Sequence, residues 1–227
     1  MTVPHPLDNP ARGSLLGAHA WLAESYHDVL RYPEDIASFL ALPDRPRMEI
    51  WSDVAALAGR HVTVILNPEI SIPSDWEILN AVSGVQMIDS HVDPAVDSEA
   101  VVLGPSDVLE MLDLVERTRP GPFFPRTVEL GTYLGIRRNG VLVAMAGERL
   151  RPTGWTEISA VCTDSDFRGQ GLGTRLVLAV AAGIHERGER PFLHTQISNV
   201  NAIRLYESLG FVLRRELKIM VVRAPSN

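Results

Sequence analysis

The run Arg168-Gly169-Gln170-Gly171-Leu172-Gly173-Thr174 stands between a β-rich segment and an amphipathic one. Glycines let a backbone approach a ligand closely and turn sharply. The first amides of a helix lack intrahelical partners and sit at its positive dipole end. Together these features make a cradle for phosphate oxygens, and for a diphosphate in particular. Arg168 adds a fixed positive charge, and Thr174 offers a hydroxyl donor. Taken alone, the same run also fits a tight loop that needs small residues and binds nothing. Two other phosphate loops are excluded: there is no GxGxxG register followed by an acidic residue on the next strand, and no Gly-Lys-Ser/Thr.

The elements around this run must position it. Asn139-Gly140 separates TYLGIRR from VLVAMAGERL, the strongest short-range hairpin signal a sequence carries. TEISAVCTD then supplies a third strand of the same meander. After the glycine run, Leu172, Leu176, Val180 and Ile184 form one stripe of a helix that ends at Gly188. PFLHTQIS reads as a strand, residues 202–209 as a short helix stopped by Gly210, and FVLRRELKIMVV as a closing strand. In that last strand Phe211, Leu213, Leu217 and Ile219 alternate with Arg214, Glu216 and Lys218. Upstream, residues 101–103 form a short strand, Ser106 caps a helix bearing Val108, Met111, Leu112 and Val115, and GPFFPRT is a loop. Its aromatic pair either lines a pocket or simply packs.

The first 97 residues mix helical patterns at 33–42 and 51–57 with a β-branched run at 61–66, and read as a small α/β lobe. The proline-rich, acidic stretch DSHVDPAVDSEA places a domain boundary there, giving 1–97 and 98–227. Trp21, Tyr26, Trp51 and Trp76 in the lobe leave open whether it covers an acceptor groove or mediates dimerisation.

Composition narrows the function further. The chain has 227 residues, is 45% hydrophobic and carries a formal charge of −7. A large core is expected, and a general nucleic-acid or anionic-membrane binder is not. With Cys162 as the single cysteine, no intramolecular disulfide can form, which suits a reducing cytosol. No leader pattern and no long apolar run is evident, so a cytoplasmic protein without a membrane span is expected. The seven histidines show no paired spacing, and no metal is expected.

Residues 168–173 match the Arg/Gln-x-x-Gly-x-Gly/Ala signature of the GNAT superfamily of acyl-CoA-dependent N-acyltransferases. NVNAIRLYESLGF matches that family's Asn-x-x-Ala-x-x-hydrophobic-Tyr run followed by Leu-Gly-Phe. The resemblance covers about residues 100–222, and EISAVCTDSDFRGQGLG looks most like the branch of glycine N-acyltransferase-like proteins. It departs from the pattern at Asp164-Ser165-Asp166, where a proline is common.

The resemblance implies an α/β (α+β) fold with a mixed, mostly antiparallel sheet and helices on both faces. It implies an N-acetyltransferase that uses acetyl-CoA or another acyl-CoA as cosubstrate, transferring directly to a primary amine. Backbone groups of Val161, Cys162 and Thr163 would pair with the pantetheine arm. Arg168, Gly169, Gln170, Gly171, Leu172, Gly173 and Thr174 would hold the diphosphate. Asn199, helped by Asn201, would bond the pantetheine side, and Tyr206 would give a proton to the departing thiolate.

Glu157 is the first candidate for the base that deprotonates the amine, its pKa raised by partial burial. The plainer reading of Glu157 is a carboxylate paired with Arg149 or Arg151. His194, on the next strand, is the rival base. Cys162 reads as strand packing. The acceptor remains open among a small amine, an amino acid and a protein N-terminus or lysine. So does a non-catalytic coenzyme-binding or interaction module.

Overall fold

A computed structural model describes residues 5–66 and 70–225. Helices α1 (Pro10–Leu16) and α2 (Ile50–Ala58) accompany three short strands, β1 (Glu24–Tyr26), β2 (Val29–Arg31) and β3 (Leu40–Ala41), which form their own small sheet. The main sheet has eight strands. They are β4 (Thr63–Leu66), β5 (Glu77–Asp89), β6 (Val101–Leu103), β7 (Tyr133–Arg138), β8 (Val141–Glu148), β9 (Trp155–Thr163), β10 (Arg190–Gln196) and β11 (Phe211–Arg223). Their order is β4-β11-β5-β10-β9-β8-β7-β6. Helices α3 (Val108–Thr118), α4 (Leu172–Glu186) and α5 (Val200–Ser208) complete the fold. Among the described residues, no helix is long and apolar enough to cross a membrane.

The Asn-Gly hairpin forms as expected: Asn139 and Gly140 take φ of 50° and 82° between β7 and β8. Such a turn twists with the strands it joins. In α4 the stripe Leu172, Leu176, Val180 and Ile184 is buried in the central core beneath β7, β8 and β9. Gly147 is required by packing, because the Tyr133 ring lies 2.2 Å from where its Cβ would stand.

Four expectations are corrected. The sheet crosses the boundary placed at 97/98: β4 and β5 belong to the first 97 residues, and β5 lies hydrogen-bonded between β10 and β11. Residues 33–42 make one turn, with Pro33 O accepting from Ile36 N and Ala37 N, rather than a helix. Leu40 is drawn instead into pairing with β2. Ser106 does not cap α3; Asp107 holds the position before it, its carboxylate accepting from Gly104 N at 2.9 Å. In β11 the expected apolar stripe is broken at Arg214, because Leu213 pairs with Met87 while Arg215 pairs with the next residue, Gln86. A bulge of this kind switches the side chains that follow to the other face. Phe211 and Leu213 thus share one face, with Leu213 54% exposed, while Leu217 and Ile219 turn to the other.

Candidate active site

β9 and β10 are parallel neighbours for three residue pairs only, ending at Phe192 and Glu157. Beyond that point β10 stays with β5, β9 stays with β8, and the two diverge. A bulge in β9 assists the divergence: Ala160 takes φ of 53°, and two residues, Ala160 and Val161, face Ala146 alone. One edge of residues 158–163 is therefore left without a strand neighbour, and unpaired strand edges accept extended ligands as additional strands.

The gap opens into a cavity of ≈ 940 Å³. Val161, Cys162 and Thr163 line it on one side, with Arg168 and Gly173 at the end of the open edge. Gly169 and Gly171 have φ of 76° and 75°, and a Cβ at either would meet nothing within 4 Å. The backbone there is left-handed and bare, a conformation that only glycine adopts without strain. Among the described residues, the amides of 169–174 have no hydrogen-bond partner. Arg168 is exposed and donates through Nε to Thr163 O at 3.2 Å. These features fit a diphosphate. The side chain of Leu172 is buried in the core with the rest of its stripe, which leaves its backbone toward the cradle. Gln170 and Thr174, like Gly169, Gly171 and Leu172, are not among the residues lining the cavity.

Across the gap, Asn199 caps α5, accepting from Ala202 N at 3.2 Å, and lines the cavity. Asn201 is exposed and is not part of the lining. Tyr206 projects from α5 with its ring edge-on to Phe211 and packed in the core. It also lines the cavity, and its hydroxyl makes no hydrogen bond among the described residues. Burial pushes its phenol up to about 12, so it stays protonated at neutral pH. Cys162 packs beside Met145 and Leu114, and burial pushes its thiol up to about 11, far from the thiolate that a nucleophile needs.

Near the point where the strands part lies a polar cluster. Glu157 is fully buried and takes a two-pronged bond from Arg149, Nε to Oε2 at 2.9 Å and Nη2 to Oε1 at 2.7 Å. His194 Nδ1 lies 2.7 Å from Oε1. The expected upward shift of Glu157 is corrected. Burial does push it up, but the Arg149 guanidinium and then His194 outweigh burial and hold the carboxyl at about 2. Arg149 is the partner, while Arg151 pairs with Glu189.

The far nitrogen of His194 lies 3.0 Å from Gln86 Nε2. Gln86 Oε1 accepts from Arg214, so its amide is the donor, and Nε2 of His194 is the acceptor. His194 is thereby placed as the neutral tautomer with its proton on Nδ1. Gln86 escaped the sequence reading, since it lies 108 residues from His194 and only sheet register brings the two together; Arg149 is one of the two partners that the plainer reading gives Glu157, and the structure selects it over Arg151.

Part of the remaining lining comes from the first half of the chain. Phe39 stacks against the Arg149 guanidinium, 5.0 Å from ring centroid to Cζ, beside Ile36, Val64 and Leu66. In the loop GPFFPRT, Gly121 and Pro122 line the cavity, while Phe123 packs edge-on against Tyr133 in the core. Trp51 and Trp76 pack together in the core, 5.0 Å apart, and Trp21 and Tyr26 are exposed away from the lining. Among the described residues no group of three or more metal-ligating side chains converges.

The profile of FR47-like proteins matches residues 133–219. A GNAT-family protein from Novosphingobium aromaticivorans, solved by crystallography, is 36% identical over 99% of this chain and all of its own, with a TM-score of 0.89. A GCN5-related N-acetyltransferase from Kribbella flavida shares the fold at 18% identity, with a TM-score of 0.61 over 96% of this chain and 95% of its own. Curated relatives match locally. N-alpha-acetyltransferase 30 of Xenopus laevis is 39% identical over 61 residues, 26% of this chain and 22% of its own length. Mycothiol acetyltransferase of Thermobispora bispora is 45% identical over 56 residues, 24% of this chain and 19% of its own. These two matches therefore span only about a fifth of either relative.

Proposed function

The chain belongs to the GNAT family of N-acetyltransferases, and on that premise we propose that it passes an acetyl group directly from acetyl-coenzyme A to a primary amine. The observation that carries this reading is the open edge of β9 leading into the glycine cradle, with Tyr206 facing the same cavity. Backbone groups of Val161, Cys162 and Thr163 suit the amides of a pantetheine arm, and residues 168–174 suit a diphosphate. Asn199 lies on the opposite wall, and Asn201 is left to the rim.

The attacking amine must shed a proton. Glu157, held near 2, is too weak a base to take it alone. We assign the acceptor role to the His194 ring with Glu157 behind it, the carboxylate orienting the imidazole and stabilising its protonated form. For this, His194 Nε2 exchanges the Gln86 amide for the amine or a bridging water. A β9 amide polarises the thioester carbonyl. As the C–N bond forms and the C–S bond breaks, Tyr206 hydrogen-bonds the departing thiolate and supplies its proton.

Calorimetric titration with acetyl-coenzyme A, followed by an amine screen that reads thiol release, tests the proposal. Micromolar binding and amine-dependent release support it. Binding with no release for any amine would favour a non-catalytic coenzyme-binding module, and absence of binding by the folded protein would sink both.

A further inference from the structure

The far end of the cavity from the phosphate cradle has an uneven chemistry. Among the described residues, no aspartate or glutamate lines the cavity, whereas Arg119, Arg149 and Arg168 all do. The whole chain carries −7, so this local excess of cations runs against the global balance. Arg168 is accounted for by the cradle. Arg149 cannot serve the same phosphates. It sits opposite Glu157, and the six residues from there to Thr163 carry β9 about 20 Å toward the cradle at ~3.3 Å per residue.

Arg149 is also built to receive something. Its Nε and Nη2 are committed to Glu157 and its flat face to Phe39, which fixes the plane of the guanidinium. Nη1 has no hydrogen-bond partner among the described residues and is not sealed from solvent. A fixed guanidinium edge facing a cavity favours a carboxylate, which meets it with charge-assisted bonds of defined direction. Arg119, exposed at the end of α3 and without an ion pair among the described residues, adds a further cation to the cavity lining. The neighbouring lining from Ile36, Phe39, Val64, Leu66 and Val82 is apolar. Glu157 could have attracted a cationic group, but its charge is already taken up by Arg149 and His194.

We propose that the acceptor is a primary amine that also carries a carboxylate on an apolar body, an apolar α-amino acid being the simplest, with Arg149 Nη1 holding the carboxylate. This rests on the transfer reading above and narrows it: polyamines and lysines in basic segments are disfavoured, because the described lining offers a second positive charge no carboxylate.

The test reads binding, not turnover. N-acetylleucine and N-acetylleucinamide are titrated calorimetrically into the full chain with coenzyme A present; the two differ in whether a carboxylate is there. The acid is expected to bind about tenfold more tightly or better, the range of a charge-assisted hydrogen bond. Arg149→Lys, which keeps a charge beside Glu157, is expected to close most of that gap while melting cooperatively. Equal binding of acid and amide overturns the proposal, and so does a gap that persists in a folded Arg149→Lys. The wild-type pair decides alone if that variant does not fold. Preference for the acid together with no thiol release from acetyl-coenzyme A with any amine would leave the carboxylate site standing and sink the transfer reading instead.

Discussion

The two ends of the cavity are made in different ways. At the cradle end, the ligand-facing groups are consecutive in sequence: six successive amides, two left-handed glycines and one arginine between β9 and α4. At the other end, Phe39, Gln86, Arg149, Glu157 and His194 come from five separate places in the chain, brought together by stacking and sheet register. In the function proposed above, the first end would meet a cosubstrate through main-chain groups, which any sequence with enough glycine supplies. The second would meet an acceptor through side chains that are already bonded to one another. A site of the first kind should fail locally when altered, whereas one of the second kind should fail as a network.

The sharpest separation should come from Arg149→Ala. It leaves a fully buried carboxylate without its principal partner, and the expected loss in urea unfolding is about 3–5 kcal/mol, with partial recovery when Glu157→Gln is added. If Arg149→Ala costs less than about 1 kcal/mol, the network is not a structural unit.

Gly171→Asp attacks the other end. Its Cβ would find open space, so folding should survive, while the left-handed backbone and the added negative charge should weaken acetyl-coenzyme A binding by about 100-fold or more in calorimetry. Tyr206→Phe removes one hydroxyl. Thiol-release kinetics should show kcat reduced by about 100-fold, with the coenzyme Kd nearly unchanged; equal losses in both would recast Tyr206 as a packing residue.

Acid offers a finer probe of the network. Glu157 is held at about 2, below its ordinary value of 4.5, so its pairing stabilises the fold in full above pH 4.5. That contribution is lost as pH falls from 4.5 toward 2. Denaturant midpoints measured across this window should decline, and Glu157→Gln should flatten the decline. Asn201→Ala should have the smallest effect, leaving coenzyme affinity within about twofold, because its side chain is exposed and outside the lining.

The same contrast explains what could be read from the amino-acid order. The Asn139-Gly140 turn, the α4 stripe and the glycine run are short-range patterns whose physics is complete within a few residues. All three appear in the structure where they were expected. The domain boundary failed because prolines and acidic residues mark an exposed connection without saying which strands its two sides will pair. β5 crosses back into the sheet from the supposed lobe. The pKa direction of Glu157 failed for a related reason: burial was legible from its apolar strand, and pairing with Arg149 or Arg151 stood as an alternative, but which arginine would meet it and that its charge would outweigh burial were not.

By itself, then, the sequence determined the Asn139-Gly140 hairpin, the buried stripe of α4 and the bare glycine turn before it, since these depend on propensity, periodicity and the absence of a side chain. Only the tertiary structure decided the splay of β9 from β10, the bulge that turns β11 over at Arg214, and the bonding of Arg149 and His194 to Glu157. Those depend on register between strands distant in the chain, where a shift of one residue moves every side chain to the opposite face.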